Sequence, residues 1–287
     1  MRKKERSPLS LPINRHKQYG FIYRTNFMAL LKCALILIPF ELMLMAQLVL
    51  FLIYTGPIVS NSQLSDNEKF ASLLNLAKII SLFLPISVPV LSIGMIGVSN
   101  VFKKIIYNDG FMLGRDFKQG IKEGKQGILL SFVLSLLLTM MIVGVLSLYS
   151  YASITVFFIL LFIMFLMILV SIVLLQYQHL FSLYYYQSAM GNIKNSFIFS
   201  FRSLLSSLGI TLAEIGLFLI LYSVDLIFFS RLSFLTLIGI VLQFFFFSVN
   251  GMLLFQLNAV HLFDELINVK DYKDMYRKGL YKDEEGE

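Results

Sequence analysis

Residues 153–175 read SITVFFILLFIMFLMILVSIVLL, an apolar run without a single charged side chain. As a helix rising 1.5 Å per residue it covers the roughly 30 Å hydrocarbon core of a bilayer. In water such a helix would need burial on every side. Further stretches of this kind lie at 28–54, 73–101, 128–149, 204–229 and 232–257, each roughly 20 to 29 residues long. The expectation is an all-α, polytopic membrane helix bundle of about six transmembrane helices, with cytoplasmic interfacial helices.

Composition agrees. Of 287 residues 57% are hydrophobic and 14% charged, and the mean hydropathy is +0.78, more apolar surface than a water-soluble domain can hide. The formal charge of +7 does not point to nucleic acid, because the cations are divided among membrane-flanking segments. Arg2, Lys3, Lys4, Arg6, Arg15, Lys17 and Arg24 precede the first run, and Lys103, Lys104, Arg115, Lys118, Lys122 and Lys125 follow the second. Lys194 and Arg202, then Lys270, Lys273, Arg277, Lys278 and Lys282, fall on the same side of a six-span topology, against Lys69 and Arg231 on the other. The positive-inside rule then predicts a multi-pass cell-membrane protein with both ends cytoplasmic. Three regions are expected: a basic cytoplasmic segment at 1–24, a membrane domain at 25–260 and a charged cytoplasmic tail at 261–287.

No P-loop, HExxH, GxSxG or dinucleotide fingerprint occurs, and the lone Cys33 and three His offer no ligand spacing for a metal. The expectation is a non-enzymatic protein with no catalytic residues, no metal and no cofactor.

Charges inside spans are the sharpest pointers to function, since each costs about 2.5 to 3.5 kcal/mol at a helix centre even on insertion scales. Counted from the basic ends of their runs, Glu41 and Glu214 lie roughly 15 to 20 Å deep, with Gln243, Asn250, Pro85 and Pro89 near that level. Proline frees backbone carbonyls that can bond a ligand or coordinate a cation. Together these residues form a candidate intramembrane polar site for a proton, a cation or a small polar solute. The plainer reading, favoured by the cost of a buried charge, is that both carboxyls are protonated and bond across helices.

Between the second and third runs, Tyr107-Asn108-Asp109-Gly110 reads as a turn. The segment after it sets Phe117 and Ile121 at helical spacing with Lys122 and Lys125 among the cations, as an amphipathic interfacial helix would. A second such segment, 181–201, carries Asn192 and Lys194, and these six residues are the candidate partner-binding set. His179-Leu180-Phe181 recurs as His261-Leu262-Phe263, a faint sign of duplicated helix hairpins.

Pro89-Val90-Leu91-Ser92-Ile93-Gly94-Met95, Asp116-Phe117-Lys118-Gln119-Gly120-Ile121-Lys122 with Lys125-Gln126, and Asn192-Ile193-Lys194-Asn195-Ser196-Phe197 resemble, in order and spacing, the YesL-like bacterial membrane proteins, a family of unknown function. Glu123-Gly124 departs from the pattern, which has an Asn before the Lys-Gln pair. The resemblance implies a multi-pass helical fold and association with carbohydrate uptake, hence an accessory subunit of an ABC-type importer partnered by its permease and ATPase as well as by membrane lipid. It carries no catalytic residue across. An autonomous secondary transporter using the intramembrane carboxylates, and a membrane sensor or assembly factor, remain alternatives.

Overall fold

The computed structural model of the protein describes residues 11–185, 187–229 and 234–281, with only part of the side chains in 214–237. Asn14 opens the first helix: its backbone is extended (φ −144°, ψ 165°), and its side-chain oxygen accepts from the Lys17 amide at 3.0 Å. That bond satisfies one of the amides a helix start leaves free. Helix α1 then runs Arg15–Ser60, longer at both ends than the apolar run inside it, so the second half of the expected N-terminal segment is helix. At Asn26 the backbone leaves helical geometry (φ −126°, ψ 22°), which kinks the basic start of α1 away from its apolar length.

Helix α2 (Asp66–Ser81) starts on a capping box, with the Ser65 amide donating to Glu68 Oε2 at 2.8 Å and the Glu68 amide to Ser65 Oγ at 3.4 Å. It stops at Leu82 and Phe83, and α3 (Leu84–Ile106) begins with Pro85 in its first turn, where a missing N–H leaves no bond unmade. The expected single span at 73–101 is therefore two helices, of which α3 alone is long and apolar enough to cross a membrane. Asn108 takes the left-handed conformation (φ 54°) in the turn that follows. The chain continues as α4 (Leu113–Glu123), α5 (Lys125–Ser147), α6 (Ile154–Tyr184), α7 (Ala189–Arg202), α8 (Leu204–Phe229), α9 (Phe234–Leu242), a π-helical turn at Gln243–Phe247, α10 (Ser248–Phe263), a second π-helical turn at Asp264–Asn268, and α11 (Val269–Asp271).

The architecture is an all-α helix bundle, with no strand among the described residues. Five helical stretches there are long and apolar enough to span a bilayer: α1, α3, α5 with its 3-10 extension, α6, and Ile238–Asp271. A sixth appears if α7 and the first part of α8, which meet at 83°, count as one bent span. Large apolar side chains such as Leu137, Phe162 and Ile163 face outward, as lipid-facing positions do.

The main core joins Cys33 and Leu37 of α1, Ile96 and Phe102 of α3, Tyr177 and Phe181 of α6, and Leu253 and Phe263 of α10. Phe181 and Phe263, equivalent in the two His-Leu-Phe motifs, meet with ring centroids 4.9 Å apart. A smaller core joins Leu74, Leu146, Phe157 and Met164, with Phe70 and Tyr149 packed against it. Residues 261–281 are held against the bundle. Lys278 Nζ pairs with Asp109 Oδ2 at 2.9 Å, and Gly279, at φ +79°, lies so close to the Ile106 carbonyl that a Cβ there would run into it.

Candidate functional site

Glu41 is 8% exposed, Gln243 7% and Ser248 5%, so three polar side chains are buried where α1 packs on the first π-helical turn and the start of α10. The Ser248 hydroxyl donates to the Gln243 carbonyl at 3.1 Å, Gln243 Nε2 approaches Ser248 Oγ at 3.4 Å, and Ser248 stands within reach of the Glu41 carboxyl. Glu41 Oε2 and Gln243 Oε1 are left without a hydrogen-bond partner. A buried acceptor without a donor is costly, and π-helical turns gather at functional sites because they shift the register of the backbone. Among the described residues no ion pair reaches Glu41.

Phe40, the neighbour of Glu41, ties this stretch of α1 to α3 and α4. Phe40 lies against Gly94, where a Cβ would stand 2.7 Å from Phe40 Cβ, and Gly94 is roughly 3 Å along α3 from Ile96. At Ile96–Asn100 the amphipathic helix α4 crosses α3: Gly120 fits over Asn100 and the Ile96 carbonyl, and Asn100 Nδ2 donates to the Asp116 carbonyl at 2.8 Å. Phe117 of α4 covers Gly97 and its ring lies 5.9 Å from that of Phe40. Glu41 thus follows directly on a residue that meets both α3 and α4.

The other residues of the predicted intramembrane set are distributed differently. Glu214 is on α8, and its side chain lies outside the described residues. Asn250 accepts from the Tyr19 hydroxyl at 3.3 Å and lines, with Tyr23, Phe27 and Leu31, a cleft of about 20 Å³. Pro85 starts α3 and Pro89 lies inside it; between them Ser87 donates to Gln47 Oε1 at 3.2 Å, and the buried Gln47 Nε2 has no partner.

The predicted partner-binding residues divide by exposure. Lys122, Lys125 and Lys194 are exposed, with Arg115 and Lys118 on the same outer side of α4. Ile121 is half-buried, Phe117 packs inward, and Asn192 is 2% exposed, donating from Nδ2 to Gln126 Oε1 at 3.1 Å.

At the end of the bundle where the basic segments gather stands a polar cluster that sequence reading missed. Arg15 donates from Nε and Nη2 to Asp264 Oδ2 at 3.0 and 2.8 Å, and from Nη1 to Gln18 Oε1 at 2.8 Å. Asp264 Oδ1 accepts from Asn268 Nδ2 at 2.8 Å, and Asn268 Oδ1 accepts from the Tyr185 hydroxyl at 2.8 Å. Gln18 Nε2 caps the Ile106 carbonyl at 2.5 Å, and Arg15 lies 6.0 Å from the Tyr107 ring. Burial pushes the Tyr107 and Tyr185 phenols well above their ordinary value, which keeps both neutral beside the ion pair. Arg15 was legible only as a membrane-flanking cation, Asp264 was not singled out within the charged tail, and Ser248 gave no signal, because serine is common in apolar helices. The chain matches no protein-family model, no curated protein and no solved structure.

Proposed function

We propose that the chain is a non-enzymatic accessory subunit of a carbohydrate ABC-type uptake system in the cell membrane, with its basic end in the cytoplasm. The observation that carries this reading is the seating of α4. Its inner side is locked on α3 through Gly120, Phe117 and the Asn100–Asp116 bond, while Arg115, Lys118, Lys122 and Lys125 stand exposed on a fixed frame. A rigid cationic face loses little side-chain and backbone freedom on association and selects an acidic partner surface. The carbohydrate connection comes from the YesL-like resemblance, and the orientation from the bias of Lys and Arg toward that end.

Affinity purification from native membranes in mild detergent tests it. Importer permease or ATPase subunits should accompany the intact chain in stoichiometric amount and be lost from the Lys122→Glu, Lys125→Glu double variant. Recovery of the chain alone would sink the reading. For orientation, Cys33 is fully buried and silent, so a cysteine placed at Lys122 should react with a membrane-impermeant maleimide only in inverted vesicles, and one at Asn61 only in right-side-out cells.

A second reading, a secondary transporter of an ion or small polar solute, is favoured by the unpartnered oxygens of Glu41 and Gln243. Its test is solute flux into liposomes holding this chain alone.

A further inference from the structure

We infer that Glu41, Ser248 and Gln243 form a binding site for a hard monovalent cation of sodium's class. The inference holds whether the chain is an accessory subunit or a transporter.

The donor set is made of oxygen. Glu41 Oε2 and Gln243 Oε1 are both acceptors, both buried and both without a donor, and Ser248 Oγ touches Gln243 and is within reach of Glu41. Carboxylate, amide and hydroxyl oxygens suit hard cations, and soft metals call for thiolate or imidazole. Among the described residues no group of three His, Cys, Asp or Glu exists to hold a transition metal. Charge decides the valence. One carboxylate neutralises one positive charge, whereas a divalent ion would leave a net charge among buried groups.

A proton on Glu41 is the competing occupant; a protonated site would unfold at the same midpoint in sodium and in choline. The π-helical turn at Gln243–Phe247 brings the Ser248 amide and hydroxyl onto the Gln243 carbonyl, which fixes the hydroxyl beside the Gln243 side chain.

The experiment is thermal unfolding of the purified full-length chain in detergent, in sodium, potassium or choline chloride at equal ionic strength and fixed pH. Sodium at about a hundred times its dissociation constant should raise the midpoint by roughly 5 °C over choline, with potassium giving less. Glu41→Gln should abolish the rise. Should that variant fail to fold, Ser248→Ala, which removes one ligand, should reduce it. Equal midpoints in the three salts, or a sodium rise that survives the substitution that folds, would overturn the assignment. Because this assay uses no partner and no flux, its failure is separate from failure of the subunit or transporter readings.

Discussion

Replacing Asp264 by Ala is the sharpest test of how the bundle is closed. Asp264 is 5% exposed, and its carboxylate takes two hydrogen bonds from the guanidinium of Arg15, itself 3% exposed, one from Asn268 and a longer one from the Arg277 amide. Its loss leaves a buried guanidinium with Gln18 as its remaining side-chain acceptor and frees the Asn268 amide. Removing one partner of a buried pair costs about 3 to 5 kcal/mol, most of it the price of stranding the other charge. Arg15→Met combined with Asp264→Leu should therefore be less damaging than either single loss, with a coupling of about 2 kcal/mol or more. Midpoints of thermal unfolding in detergent, measured for the two singles and the double, give that cycle. If Asp264→Ala fell within about 1 kcal/mol of the parent chain, as exposed pairs do, the pair would be hydrated and the reasoning refuted.

Gly279→Ala should cost more than the ordinary 1 kcal/mol or so of a left-handed position, because its methyl would also strike the Ile106 carbonyl; limited proteolysis should then release the segment after Tyr272 sooner. Gly120→Val should lift α4 off α3, since a Cβ there would stand 2.6 Å from Asn100 Cβ and 2.9 Å from the Ile96 carbonyl; faster amide hydrogen exchange in 113–123 would register it. The Ser65 hydroxyl and amide hold the Glu68 carboxyl below its usual range, so the capping box contributes fully above the ordinary carboxylate pKa and is lost as pH falls through the lowered value. Exchange protection at the start of α2 should fall over that acid range in the parent chain and be insensitive to it in Glu68→Ala.

The spans were legible because a run such as 153–175 excludes every other environment by itself. The break inside 73–101 was not, because Pro85 reads equally as a kink within one helix or as the first turn of a new one. Glu41 and Gln243 stood out as costly polar residues in apolar runs, but the serine that joins them is chemically unremarkable in a helix. The partner set was marked by helical spacing, which separates two faces without saying which one is covered; Phe117 and Asn192 turned inward, while Lys122, Lys125 and Lys194 stayed outside. The Arg15–Asp264 pair spans 249 positions of sequence, and nothing local to either residue names the other.

That separation also sets a schedule. In synthesis Arg15 emerges 249 residues before Asp264, so the guanidinium lacks this carboxylate while the intervening helices are made. Until then hydration is its lowest-energy state. A chain stalled before residue 264 would therefore leave the Arg15 guanidinium without the carboxylate that the folded bundle gives it.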